Sequence, residues 1–135
     1  MTHPIVLLQT ALVAALRADA TVTGVAGSAI YDAPPKAAAQ PSIVISRHDL
    51  VPRDGDAAPG SDHRVILHLW HPESSRKAVL ALAEAAVSVA LTADLPMEDL
   101  LVTNRSHERT DTAIDLDTGA ARAAVTLRLF TEPTA

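Results

Sequence analysis

The sequence contains no cysteine, which excludes disulfide bonds and any metal site built on thiolates. Aromatic residues are almost missing, with one Trp, one Tyr and one Phe, so stacking platforms for single-stranded nucleic acid are disfavoured. Lysine occurs only at Lys36 and Lys77, the arginines are scattered, and the net charge is −5. Because a firm grip on phosphates needs clustered Lys and Arg, these features argue against nucleic acid as a directly bound ligand.

Long hydrophobic runs are also missing from the sequence. No apolar run reaches the roughly 20 residues that a bilayer span requires. The apolar stretch Ile5–Leu16 lacks the basic flank of a signal peptide. We therefore expect a protein made and kept in a cytoplasm, no membrane association, and a single domain over residues 1–135, since a chain of this length suits one hydrophobic core.

Motifs for catalysis or cofactor binding are absent from the sequence. There is no serine elbow, no Walker loop and no paired-glycine fingerprint, because the five glycines are spread singly along turns. Six histidines invite a metal site, but His68 and His71 lie three apart in a predicted strand and so point to opposite faces. The sequence therefore predicts no enzyme, no metal and no cofactor.

Two pairs of carboxylates could be taken for acid–base sites, namely Asp54 with Asp56 and Asp115 with Asp117. Both pairs lie in sequence typical of loops, and no partner base or pocket-forming pattern accompanies them. Solvated acidic turns are the more common explanation of such pairs. We expect no catalytic role for any of the four.

The stretch 62–91 gives the clearest structural prediction. Apolar residues alternate on both sides of a strand over 62–71, with Val65, Leu67 and Leu69 on one side and Ile66, His68 and Trp70 on the other. Ser74 and Ser75 then offer an N-cap, and residues 78–91 contain neither Gly nor Pro. This pattern predicts a central strand followed by the longest helix.

The remaining segments complete an α+β pattern. We predict a helix over 4–18, a turn or short broken helix over 21–27, a brief strand over 28–32, a strand over 42–49, a long mobile hairpin tip over 50–62, a polar edge strand over 100–109, irregular chain over 111–117 and a last strand over 122–130. The predicted fold is a two-layer α+β sandwich, with a mostly antiparallel sheet of about four to five strands and two helices packed on one face.

Several predicted surfaces are left unexplained by one core, and these are the candidate interfaces. The helix over 78–91 is apolar around most of its circumference, the strand over 100–109 is polar, and the two predicted turns are acidic. We expect charge reversal in the polar strand to weaken assembly without affecting the fold. The candidate interface residues are Arg53, Asp54, Asp56, Val87, Arg105, Arg109, Asp115 and Asp117.

The N-terminal half carries a recognisable order of segments. A helix is followed by the turn at 19–27, an Ile-Tyr-Asp-Ala-Pro-Pro element at 30–35 and a proline-started strand, Pro-Ser-Ile-Val-Ile, at 41–45. With the later hairpin, helix and strand pair, this order resembles the tail-completion, or tail-terminator, family of siphophages and phage-derived gene transfer agents. The resemblance spans nearly the whole chain.

The resemblance implies a structural virion protein at the head–tail junction. Such a protein forms a homo-oligomeric ring, usually of six copies, that ends polymerisation of the tail tube protein and joins the tail to the head–tail connector protein. DNA passes through the lumen without specific binding, and no catalytic residue or cofactor is implied. Three alternatives stay open: a head-side connector or adaptor of the same type of particle, a small soluble binding module, and a small enzyme.

Overall fold

In this computed structural model, which describes residues 2–36, 39–54 and 59–134, three helices lie on one face of a five-stranded sheet. The sheet order is β1-β2-β3-β5-β4, and every pair of neighbouring strands is antiparallel except β1 with β2. The predicted α+β class is confirmed, with one additional short helix. The elements are α1 (Pro4–Ala18), α2 (Ala20–Ala26), β1 (Ile30–Tyr31), β2 (Ser42–Asp54), β3 (Pro59–His71), α3 (Arg76–Thr92), β4 (Leu100–Ile114) and β5 (Ala121–Pro133).

Each helix begins at a side chain that accepts a hydrogen bond from an otherwise unpaired backbone N–H. His3 Nδ1 accepts from Ile5 N ahead of α1, and the Asp19 carboxylate accepts from Val22 N at the start of α2. Ser75 does the same for α3, which confirms the predicted helix start. No single helix in the described part of the chain is long and apolar enough to cross a bilayer; only α1 and α2 taken together, across an 85° bend, have the required length and composition.

The core lies between the helices and one face of the sheet. Strand β3 is central, and its register with β5 sets Val65 opposite Leu127 and Leu67 opposite Val125. These side chains are fully buried, as expected from their alternation. The helices complete the core with Leu8, Leu12 and Leu16 of α1, Val22 of α2, and Val79, Leu82, Ala86 and Val89 of α3.

The predicted mobile tip over 50–62 is wrong for most of its length. The β2–β3 ladder continues through it, pairing Leu50 with His63 and Asp54 with Pro59. Residues 55–58 lie outside the described residues. Pro52 does not end the strand, because β1 pairs only with the start of β2 and the missing N–H is tolerated where a strand has no second neighbour.

The β4–β5 hairpin is likewise longer than predicted. Strand β4 forms an edge of the sheet, as expected from its polar sequence, but it runs on to Ile114, which pairs with Ala121. The prediction of irregular chain is therefore wrong for 111–114. The turn itself occupies 115–118 and closes at Gly119, whose φ of 75° lies in the left-handed region that glycine adopts without steric cost.

Four polar side chains form a hydrogen-bonded chain beside the hydrophobic core. They are Gln9, His48, His63 and Thr131. Gln9 Nε2 donates to His48 Nδ1 (3.3 Å), His48 Nε2 to His63 Nδ1 (2.8 Å), and His63 Nε2 to Thr131 Oγ1 (2.9 Å). This arrangement is satisfied by neutral imidazoles, since a second proton on either ring would face another donor. Burial lowers the pKa of both His48 and His63 to about 4, and the neighbouring His63 lowers that of His48 further.

We predict that this histidine pair makes the fold sensitive to acid. Between pH 6.5 and about 4 the unfolded chain binds more protons at these rings than the folded chain, so the free energy of unfolding falls as the pH is lowered through that window. Each histidine contributes a slope of up to about 1.4 kcal/mol per pH unit. Urea unfolding at several pH values measures this slope.

The matched variants are His48→Gln with His63→Gln, and His107→Gln as the control on the exposed edge strand. The double variant should show a shallower dependence between pH 6.5 and 4, and the control should keep the slope of the original chain. Equal slopes for all three proteins would contradict the assignment.

Candidate interaction surface

The sheet face opposite the helices, called the helix-free face below, carries no covering layer within the described residues. Alternation in β3 and β5 places every second side chain here. In the sequence these positions mix charged and apolar residues. They are Asp62, Arg64, Ile66, His68 and Trp70 of β3, and Arg122, Ala124, Thr126, Arg128 and Phe130 of β5.

All ion pairs between described side chains lie on the helix-free face. Six arginines contact four carboxylates in these pairs, in a chain whose net charge is −5. The pairs are Arg47–Asp49, Arg53–Asp62, Arg64–Glu108, Arg109–Asp111, Arg122–Asp111 and Arg128–Asp62.

The largest group, called the Asp62 cluster below, consists of Arg53, Asp62, Arg128 and Phe130. Arg128 donates to Asp62 from Nη2 (2.7 Å) and Nε (3.0 Å), and Arg53 Nη2 approaches the same carboxylate at 3.4 Å. The hydrogen bond from Arg128 holds the pKa of Asp62 below its usual value. Both guanidinium groups also lie over the Phe130 ring, at 5.5 Å for Arg53 and 4.9 Å for Arg128. One carboxylate therefore serves two arginines, and Glu132 lines the groove beside Phe130 as a second acidic group.

A second carboxylate that contacts two arginines is Asp111, three residues before the end of β4. Arg122 Nη2 lies 3.1 Å and Arg109 Nη2 lies 3.4 Å from its carboxylate oxygens. Arg122 Nε is buried and has no hydrogen-bond partner within the described residues. The neighbouring His68 has a lowered pKa, first because of burial and then because of the Arg122 charge. Arg109, a predicted interface residue, is 72% exposed in its side chain.

We expected the charged side chains of the edge strand to be exposed and unnecessary for the fold. Arg105 does not fit this expectation. Its guanidinium donates to the carbonyl oxygens of Ala90 and Ala93 at the end of α3. A cation at this position satisfies carbonyls that have no partner in the helix and interacts favourably with the helix dipole. Arg105 therefore joins β4 to α3, and it is a structural residue.

Val87 lies on the helical side of the molecule, in α3. It is partly buried against the core and faces the β4 edge across a shallow groove of about 270 Å³. The groove is lined by Leu80, Ala83, Glu84, Val87, His107 and Thr110.

The acidic turn between β4 and β5 holds the last two predicted residues. Asp115 Oδ1 accepts from Asp117 N (2.8 Å) and Thr118 N (3.3 Å), so this carboxylate shapes the turn. Leu116 between the two aspartates is 97% exposed.

The structure does not gather the predicted residues into one site. Arg53 lies at the hairpin end of the sheet, Arg109 lies midway along β4, and the turn of Asp115 and Asp117 lies at the opposite end. The Asp54 side chain and the whole of Asp56 lie outside the described residues. Within 2–36, 39–54 and 59–134, no group of three or more His, Asp or Glu side chains is arranged to hold a metal ion.

The sequence reasoning missed Asp62, Asp111 and Phe130 as members of a surface. The sequence did contain a signal for this surface. Asp62 and Arg64 in β3 are separated by an even number of residues, as are Arg122 and Arg128 in β5, so the two side chains of each pair point to the same face of the sheet. Charges of both signs at the same parity of two neighbouring strands indicate a solvent-facing side laced with ion pairs.

The family model described as "Tail completion protein gp17" matches residues 10–132. No curated protein matches the chain. A solved structure described as "Virion of native gene transfer agent (GTA) particle" contains a chain that superposes with a TM-score of 0.84 at 22% sequence identity, covering 97% of this chain and 99% of that chain. At this identity the structural likeness shows the fold.

We predict that Arg105 and Arg109 contribute very differently to stability, although both are arginines of the edge strand. Arg105→Ala removes hydrogen bonds to the end of α3 and should lower the free energy of unfolding by about 1–2 kcal/mol. Arg109→Ala removes one exposed ion pair and should change it by less than about 0.5 kcal/mol. Urea titration of the two variants measures both values, and equal losses would show that Arg105 does not anchor the helix.

Proposed function

The chain belongs to the family of tail completion proteins, and from that premise we propose that it forms a ring, of six copies, at the head-proximal end of a phage-type tail tube. The ring ends polymerisation of the tube protein and joins the tail to the head–tail connector protein. Family membership makes the chain a structural component of a virion tail, located in the region of the head–tail junction.

The observation that carries the proposal is the extent of the family match. Residues 10–132 run from the first half of α1 to the end of β5, so the match includes both layers and every strand of the sheet. The likeness to a chain of the gene transfer agent virion agrees with it at the level of the fold. As a member of this family, the chain associates with other proteins of the virion.

Ring formation is supported by the difference between the two sides of the subunit. The helix-free face carries six arginines paired with carboxylates, whereas the opposite side is formed by helices with exposed apolar residues such as Val6 and Val25. Two unlike sides allow a heterologous contact, in which one patch of each copy meets a different patch of the next. Such contacts close into rings when the rotation between copies allows it.

Termination requires a ring with two unlike rims. One rim has to accept a tube ring, and the other has to reject tube protein while accepting the connector, because a repeated contact otherwise continues without limit. The β2–β3 hairpin and the 115–118 turn are at opposite ends of the sheet, since Asp62 pairs with Phe130 and His71 pairs with Ala121. These two ends are the proposed contacts with the tube protein and the connector.

Passage of DNA through the lumen agrees with the charge pattern. The net charge is negative, and each of the six arginines on the helix-free face contacts a carboxylate. Paired arginines offer few free cations to phosphates, so DNA moves past without specific binding. In this proposal the chain performs no catalytic step and uses no cofactor.

Deletion of the gene tests the proposal in the particle. We expect DNA-filled heads without joined tails, together with free tubes longer than normal, because nothing then closes the tube end. Electron microscopy of lysates measures both features, and a plasmid copy of the gene should restore joined particles of normal tail length. Tails of normal length already attached to heads in the deletion strain would contradict termination and favour the alternative of a head-side adaptor.

A further inference from the structure

We propose that a groove on the outside of the helical layer, called the α1 groove below, binds an amphipathic helix of another protein, one whose apolar side carries Lys or Arg at one end. The groove lies between α1 and the connection from α3 to β4. Its lining includes no residue of the β2–β3 hairpin or of the 115–118 turn. The inference goes beyond the proposed ring and does not depend on it.

The α1 groove is mostly apolar. It has a volume of about 560 Å³, and eight of its twelve lining residues are apolar. Val6 on its floor is 51% exposed in the isolated chain, although burial of a valine is favourable. The groove therefore offers an apolar strip to a partner. Its lining residues are Thr2, Val6, Leu7, Thr10, Ala11, Ala14, Ala15, Ala18, Asp94, Pro96, Met97 and Glu98.

The charges of the groove have one sign only. Asp94 and Glu98 line it, and within the described residues no Lys, Arg or His does. Glu98 also lines an adjoining depression of about 450 Å³, together with Asp99, beside the start of α1. None of these three carboxylates forms an ion pair with another described side chain. In the Asp62 cluster, by contrast, carboxylates and arginines compensate each other.

Two positive features of the chain lie near these carboxylates and do not neutralise them. The N-terminus of α1 carries only about half an elementary charge. Arg105 reaches the beginning of the α3–β4 connection, but its guanidinium donates to the carbonyl oxygens of Ala90 and Ala93. The groove therefore selects a partner that brings cations of its own beside an apolar strip.

A helix is the shape that fits the groove. Lining residues recur at every fourth position of α1 from Val6 to Ala18, a distance of about 18 Å along the helix axis. The alanines at 14 and 18 leave room for larger side chains of a second helix packed alongside. Such a helix contacts the groove with residues at i, i+3 or i+4, and i+7.

Another copy of the chain does not supply a suitable helix. The exposed side of α3 carries Leu80 with Arg76 and Lys77, but Glu73 and Glu84 flank them. The short helix α2 contains no charged residue. A second copy, with a net charge of −5, is also repelled by the carboxylates of the groove. The helix therefore comes from another protein of the virion.

A designed peptide tests the groove on the isolated full chain. The probe is a labelled helical peptide of about 16 residues, with leucines at i, i+4, i+7 and i+11 and lysines at one end. A second peptide carries glutamates in place of the lysines, and fluorescence anisotropy measures the binding of both. We expect saturable binding of the lysine peptide, and binding of the glutamate peptide that is weaker by about tenfold or more.

Matched variants locate the binding. Ala14→Gln places a polar side chain on the exposed floor of the groove and Glu98→Lys reverses an exposed charge, and each should weaken binding of the lysine peptide about tenfold. Glu98→Lys should also strengthen binding of the glutamate peptide. Ala81→Gln and Glu84→Lys make the same changes at exposed positions of α3 and should leave binding as it was.

Three results overturn the proposal. The first is that the lysine peptide does not bind, or binds no better than the glutamate peptide. The second is that Ala14→Gln binds as well as the original chain. The third is self-association of the chain in sedimentation that Ala14→Gln abolishes, because a second copy then fills the groove. The peptide is measured on the isolated chain, so its result is independent of the deletion phenotype that tests termination.

Discussion

The sheet has helices on one side only, and the rest of the structure depends on that one-sided cover. On the covered side of β3, Val65, Leu67 and Leu69 are fully removed from water and form the centre of the core. On the other side, the same strand carries Asp62 and Arg64, whose charges are met by partners on neighbouring strands. Because no second layer within the described part of the chain excludes water there, charged side chains remain tolerable on the helix-free face.

Local periodicity was sufficient to predict most of the elements. The helices over 4–18 and 78–91, the central strand and the outward arginines of β5 all follow from the repeat of apolar residues, because each repeat is set by the geometry of a single element. The long hairpin was not predictable in this way. Its outer half contains Pro52 and few apolar residues, and it is held as a ladder by pairing along β3 rather than by its own propensity.

The two arginines of β4 show why the candidate site was harder to predict than the fold. Arg105 and Arg109 are four residues apart and would share a face in a regular strand. A bulge between His107 and Arg109 reverses that parity, so that Arg105 faces α3 while Arg109 lies on the helix-free face with Asp111. The sequence contains no local signal for the bulge. The pairing of His48 with His63 was hidden for a similar reason, since it depends on the register of two strands and on the position of α1.

The same bulges bear on how the chain avoids backbone pairing along its exposed sheet edge. Strand β4 is an edge of 15 residues, and a regular edge of that length is a template on which further strands add without limit. Register shifts at Val102/Asn104 and His107/Arg109 interrupt its ladder twice, and charged residues occupy the interrupted stretch. Such an edge resists backbone pairing with other chains. Association with other proteins of the virion is then left to side-chain surfaces, whose charges and shape can select one neighbour over another.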